Sequence, residues 1–409
     1  MGSVRLVEPG FSPLDDELGL LPGSLTPRLQ ETLVRLSTTQ PSFAKASTEL
    51  AWLTGTTVHA DTARRRSETA GALLVTHQTA EAARILRDHP EPPIGPDTLL
   101  FSVDGAMVPL VGGQWKEVRT LAVGAVQPPV AGPDGPVIRT TNVSYFSRLS
   151  DSSAFAELAL PELQRRGIET ARRVGAVVDG AMWCQSFIDY HYAAAVRILD
   201  LPHAAEYLTL IGQTSGGDGP LLGTATQQRL RDDLRTKGPD GVLAELRVVV
   251  ATQPANTELR AALSYLEARQ AQMQYPQFVA DGWPIGSGIV ASANKLVVED
   301  RLKGAGMHWE ERNVNPMLAL RNAVCHGRWD ETWTVIEQEQ RRQVMVGRQH
   351  RRAARAPILS PPLPRLPDAP TPVTSTLVAP LTVEPEAKPP HPWRRAWSVR
   401  RQREVAGAA

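Results

Sequence analysis

Cysteine is nearly absent: Cys184 and Cys325 are the two among 409 residues. They are too few for a disulfide framework, and their spacing is not the CxxC of a zinc or redox site. Such usage suits a reducing cytoplasm. The sequence also lacks any apolar run long enough to span a membrane, which takes about 20 residues. Its amino terminus, MGSVRLVEPGF, lacks the apolar region of a signal peptide, so neither membrane insertion nor export is expected. Charge of one sign is missing too, because the formal net charge is only +1. That balance neither requires nor excludes nucleic acid; the clustering of arginines in a few short windows is more informative. What remains, 42% hydrophobic and 21% charged residues, is ordinary for a soluble chain of two or three domains.

Within that background one stretch stands out. Residues 98–110, TLLFSVDGAMVPL, form an apolar run of strand type that reaches a carboxylate, Asp104, and is then expected to turn. The same shape recurs 75 residues later in Val174-Gly-Ala-Val-Val-Asp179-Gly-Ala181. Buried parallel strands read as continuous Val/Ile/Leu runs, and the carboxyl ends of such strands face the crevice where α/β folds bind ligands. Asp-Gly after a strand is also ordinary turn chemistry, with Gly supplying a positive φ. The repetition favours a shared site. Two converging carboxylates without a paired Lys or Arg repel unless a cation lies between them, and Asp oxygens suit a hard ion such as Mg²⁺.

In chain order, Thr26-Pro27 caps a first helix with Leu29, Leu33 and Leu36 on one face, and a second runs from Ser42 to Leu53. A third is expected over Val58 to Gly71, carrying Arg64, Arg65 and Arg66, and a separate short one over Ala80 to Asp88. Helix, Gly-containing turn, helix is the outline of a helix-turn-helix with its arginines on DNA; two packing helices with a solvated arginine face give the same pattern. The proline-rich stretch Pro90 to Pro96 separates this part from the next. Beyond the Asp104 strand, Glu117 to Val126 and Val137 to Leu149 read as strands, and Asp151 caps a helix. The Asp179 strand, a helix from Trp183 to Ala193, and a short strand over Val196 to Asp200 follow. Asp200 and His203 suit either a metal pair or a simple strand-to-helix cap. Residues 204–274 have helical spacing throughout. Gly286-Ser-Gly288 then opens a helix with Lys295, Arg301 and Lys303, and Trp309 and Arg312 extend a basic and aromatic surface suited to phosphate contact and base stacking. Solvated lysines are the competing reading of Lys295 and Lys303. Past an arginine-rich helix ending near Arg355, 12 prolines occur in the 36 residues from Pro357 to Pro392, so that tail is expected to be disordered.

The segments SVDGAMVPLVGGQWKEVRTLAVG, VVDGAMW, RILDLPHAAEYL and GWPIGSGIVASANKLVVEDRLKGAGMHWEERNVNPMLALRNAVCHGRWDE resemble the DDE transposases of bacterial insertion sequences, specifically the ISKra type, from about Phe11 to Trp333. The resemblance implies an α/β, ribonuclease-H-like mixed sheet over 97–203 and 283–335. It places an all-helical insertion at 204–282 and a helical DNA-binding domain at 1–90; beyond the resemblance, composition alone gives a basic helix at 336–355 and a disordered tail at 356–409. It further implies DNA cleavage and strand transfer at terminal inverted repeats, a two-Mg²⁺ site held by three carboxylates, double-stranded DNA as partner, a homo-oligomer on DNA, and a cytoplasmic, nucleoid-associated location. Asp104 and Asp179 match the first two carboxylates, with Asp200 and His203 positioned behind them. The third, a Glu in the pattern Gly-Ser-Gly-x-Val-Glu-Ser, is Ala291 here. The chain also starts close to the family's Pro-Leu-Asp motif, which makes it look truncated at its amino end. The second Mg²⁺ is therefore doubtful here, and impaired catalysis is expected. A domesticated DNA-binding protein without chemistry is the alternative, and a nuclease with two essential carboxylates ranks last.

Overall fold

Strand β1 (Thr98–Pro109) is the spine of the molecule. A Gly112-Gly113 turn, both residues at positive φ, returns the chain into β2 (Trp115–Val126), which pairs with β1 antiparallel. Next to β2, again antiparallel, lies β5 (Thr140–Arg148). On the other side of β1 come β6 (Arg173–Val178) and β7 (Val196–Leu199), each parallel to its inner neighbour. The result is a mixed five-stranded sheet in the order β5-β2-β1-β6-β7, and the chain is an α/β protein. A two-stranded ribbon, β3 (Val130–Gly132) with β4 (Gly135–Val137), lies between β2 and β5 in the chain. Crossovers α4 (Ser152–Arg165) and α5 (Met182–Tyr192) link β5 to β6 and β6 to β7. Asp151 caps α4 through its Oδ1, which accepts the Ala154 N–H at 2.9 Å. The computed structural model describes residues 25–132, 135–215 and 219–355; the expected disordered tail at 356–409 lies outside the described residues.

The first half of β1 is mostly apolar because it is buried on both faces. Side chains alternate across a strand, so Leu99, Phe101 and Val103 pack with α4 and α5 through Phe155, Leu163 and Phe187. On the opposite face the covering changes along the strand. Leu100 belongs to a core built with five helices of the insertion: α6 (Leu201–Gln213), α7 (Thr224–Lys237), α8 (Pro239–Ala251), α9 (Thr257–Glu267) and α10 (Tyr275–Ala280). Ala106 and Val108 belong to a different core, built with the last helices through Val297, Leu302, Val314 and Met317. Asp104 falls at the seam between the two and is only half-buried.

The first helices are α1 (Pro27–Thr39), α2 (Phe43–Thr54) and α3 (Ala60–Asp88). Thr26 and Ser42 cap α1 and α2 by accepting the N–H groups of Leu29 and Lys45. Gly71 does not end a helix, as the sequence suggested; the two expected helices are one of 29 residues. A Cβ at Gly71 would collide with the backbone carbonyl of Pro316, so glycine permits a close helix crossing there. Pro316 lies in α13 (Glu311–Cys325).

Before α13, the chain after the insertion forms α11 (Gly288–Ala293), changes to π-helical winding over Asn294–Glu299, and closes with the short turn α12 (Asp300–Leu302). Helix α14 (Trp329–Arg355) follows α13. Residues up to Arg351 group into one compact unit; of the second unit, 352–409, only the end of α14 is described. Among the described residues no helix is long and apolar enough to cross a membrane.

Candidate active site

The β1–β6 register carries the two aspartates to each other. Its last paired residues are Phe101 and Ala176, and three steps further on each strand lie Asp104 and Asp179. Adjacent strands are about 4.8 Å apart, so the two residues are near neighbours on one face. Cys184, buried in α5, lies beneath both: its Sγ is 3.3 Å from Asp179 Oδ1 and 3.8 Å from the carbonyl oxygen of Val103. Burial, the charge of Asp179 and that of Glu117 push the Asp104 carboxyl above its ordinary value, while the Gly105 N–H and the Asn294 amide work against that shift. Burial, then the two aspartates, keeps Cys184 a neutral thiol.

The two Asp-Gly-Ala copies differ locally. At Asp104 the expected turn is absent, because β1 continues through Gly105 and Ala106 to Pro109. Gly105 serves another purpose: a Cβ there would collide with Oε1 of Glu117, which reaches across from β2 and pairs with Arg119 at 2.7 Å. At Asp179 the turn is real. Gly180 has φ +79°, and Asp179 Oδ1 accepts the Ala181 N–H at 2.9 Å.

The insertion clamps this second turn. The Tyr265 hydroxyl donates to the Asp179 carbonyl, and Arg269 donates to the Gly180 carbonyl at 2.6 and 3.1 Å. Arg269 in turn lies 3.7 Å over the Tyr265 ring, which stacks on Tyr207. A Cβ on Gly180 would sit 2.5 Å from the Tyr265 hydroxyl and 2.6 Å from Arg269 Nε. Sequence reading missed Tyr265 and Arg269, because nothing local links α9 to a strand end 86 residues earlier.

Asp200 ties the site to the final helix. Its Oδ2 accepts the His203 N–H at 3.2 Å as the cap of α6, and its Oδ1 accepts the Ser287 N–H at 2.7 Å. The carboxylate thus fixes where α11 begins. His203 turns away to Glu206 Oε2, 3.2 Å from its Nδ1, and packs edge-on against Tyr207 and Tyr265.

Along α11, Ala291 is exposed, and one turn later Asn294 is buried. Asn294 is the residue that meets β1, and Ala291 lies on the exposed surface of the helix. Asn294 Nδ2 donates to Asp104 Oδ2 at 2.8 Å, and its Oδ1 is buried without a hydrogen-bond partner. Among the described residues no group of three His, Cys, Asp or Glu side chains converges as a metal site. The oxygens available to a hard cation are those of Asp104 and Asp179 and the orphaned amide oxygen of Asn294. These suit one divalent ion in donor type and in charge.

The expected DNA-contacting residues divide into two sets. Arg64 pairs with Asp61 and Glu68, and Arg65 with Asp61, all at least partly exposed on α3; Arg66 is half-buried. Lys295 and Arg312 are exposed, and Lys303 pairs with Glu299 at 2.7 Å. Arg301 and Trp309 require correction. Arg301 is 2% exposed, lies 4.6 Å over Phe43 and 5.1 Å over Trp309, and donates to the Ser37 carbonyl at 3.1 Å. Burial lowers its pKa to about 10. Trp309 is 6% exposed and donates its indole N–H to the Leu302 carbonyl. Both side chains bind the last helices to α1 and α2, leaving neither free to meet nucleic acid. Comparison with protein-family models and with curated proteins gives no match for this chain.

Proposed function

We propose that the chain is an ISKra-type DDE transposase, with a ribonuclease-H-like core, whose strand-transfer chemistry on double-stranded DNA is impaired. The observation that carries this reading is the pairing of Asp104 and Asp179 on neighbouring parallel strands, opposite a helix that offers Ala291 and Asn294. A mixed β5-β2-β1-β6-β7 sheet with antiparallel β1, β2 and β5 and parallel β6 and β7 is compatible with a ribonuclease-H-like core and supports the reading. Divalent Mg²⁺, when bound, supplies charge neutralisation at a phosphoryl group and lowers the pKa of an attacking water.

The chain's own residues have narrower tasks. Asp104 and Asp179 present carboxylate oxygens from one rigid sheet. Tyr265 and Arg269 hold the second of them by its backbone. Asp200 sets the start of α11, and so the height of Ala291 and Asn294 above the pair. At Ala291 a methyl group stands where the family has a carboxylate, which leaves two acids for chemistry that uses three. Exposed Arg65, Lys295 and Arg312 supply charge for phosphate contact, and homo-oligomerisation on DNA belongs to the same proposal.

DNA binding without chemistry is the second reading, favoured by the same alanine. Cleavage of terminal-repeat DNA, with Mg²⁺ and without, separates the two. The wild-type chain should cut near background, Ala291→Glu should recover measurable Mg²⁺-dependent cleavage, and adding Asp104→Ala should abolish it. Robust wild-type cleavage that survives Asp104→Ala would overturn the assignment of the site, and an inert Ala291→Glu chain that still binds DNA would support the second reading.

A further inference from the structure

We propose that Asn294 replaces the missing third carboxylate, so that this chain holds a single divalent cation through Asp104, Asp179 and the amide oxygen of Asn294. The inference rests on the transposase reading for the pair of aspartates and adds to it the ligand, the stoichiometry and the reason for them.

Three separate observations converge on Asn294. Its side chain is 7% exposed, an expensive place for an amide unless both of its polar ends find partners. One end does: Nδ2 donates to Asp104 Oδ2 at 2.8 Å. The other, Oδ1, has no partner. An amide held against a carboxylate with a spare carbonyl oxygen is half of an oxygen-donor set for a hard cation. Thirdly, the helix changes its winding at this residue. α11 ends at Ala293, and the π-helical turns begin at Asn294, with the Asp300 N–H donating to the Lys295 carbonyl. Such π segments are rare and concentrate at functional sites. Here the altered winding begins at the residue whose amide donates to Asp104.

Charge sets the number of ions. Two carboxylates neutralise one divalent cation, and an amide oxygen adds a ligand without adding charge. A second ion would be left with neutral donors and Glu117, whose charge acts on Asp104 but which is already paired with Arg119, and would have to compete with its own hydration. The proposed site is therefore a one-ion centre, and its occupancy does not depend on DNA or on turnover.

The test is cation binding by the full chain without DNA. Mn²⁺ would be counted from the loss of its free-ion spectrum and Mg²⁺ by calorimetry, with thermal unfolding to show that each variant is folded. One ion per wild-type chain is expected. Asn294→Ala should weaken binding by about tenfold or more, Asn294→Asp should restore or tighten it, and Asp104→Asn should abolish it. Ala291→Glu should add a second ion. Binding lost with Asp104→Asn but indifferent to both Asn294 variants would overturn the role of Asn294 and leave the transposase reading standing. Binding by the Ala291→Glu chain alone would likewise overturn the role of Asn294 and spare the transposase reading. Absence of binding in every variant, Ala291→Glu included, would overturn both.

Discussion

The two Asp-Gly-Ala sequences are identical in letters and opposite in construction. At Asp104 the backbone runs straight on as a strand paired with β2 through Thr120, and the glycine that follows leaves room for Glu117. At Asp179 the strand stops, the glycine adopts φ +79°, and the carboxylate is held by a turn that another part of the chain must clamp. One aspartate is a product of β pairing, formed by residues close in sequence. The other depends on the insertion, with Tyr265 86 positions beyond Asp179 and Arg269 89 beyond Gly180.

Glycine replacement should break the comparison open. Gly180→Ala forces a Cβ into a left-handed conformation and against Tyr265 and Arg269, at a cost of about 2–3 kcal/mol. Gly105→Ala only displaces the end of a flexible Glu117 side chain, 37% exposed and paired with Arg119. Its loss is at most about 1 kcal/mol, partly offset by the better strand propensity of alanine. Chemical denaturation of the two variants should therefore differ clearly, and equal losses would mean that both glycines serve the same purpose.

A milder change tests the clamp alone. Burial raises the Tyr265 phenol pKa, so the group remains a donor through the neutral range. Tyr265→Phe should cost about 1 kcal/mol, the ordinary worth of one hydrogen bond, because Arg269 still holds the Gly180 carbonyl. Cation affinity should fall with it, while the Asp104 side of the site stays unchanged. An unaltered affinity would reduce the clamp to packing.

The smallest expected effect is a gain. The Asp104 carboxyl is raised from its ordinary 3.8, chiefly by burial, so the folded chain holds that proton more firmly than the unfolded one. Its favourable contribution is complete below the unfolded value and is lost as pH rises through the folded value. At neutral pH the wild type carries an unfavourable charge that Asp104→Asn removes. Asn294 can turn its amide over to meet the new side chain. The variant should melt slightly higher than wild type at pH 7, with the difference vanishing toward pH 4, and a lower melting temperature at pH 7 would contradict the burial argument.

Some of this was readable from residues alone. The apolar first half of β1, the Asp151 cap and the kinship of the two aspartates follow from local pattern, since strand burial and capping are set within a few residues. The rest depends on distant partners. Arg301 and Trp309 look like surface residues because basic and aromatic side chains on a helix usually face solvent, and only Phe43, more than 250 positions away, turns them into a buried stack. Asn294 carried no signal, as an amide fits neither an apolar stripe nor an acidic motif. The winding change that marks it has no local sequence signature. Gly71 reads as a terminator until Pro316 is seen against it.

That crossing has a bearing on which lengths of chain the protein tolerates. Every residue inserted into a helix turns all that follows by about 100°, so a single addition or deletion within α3 upstream of Gly71 would bring a methyl group against the Pro316 carbonyl in place of a hydrogen. The connection before α3, from Gly55 to His59, carries no such restriction. Length variation among related chains should therefore collect in that connection and spare the first turns of α3, where Arg64 and Arg65 keep one angular setting relative to the sheet.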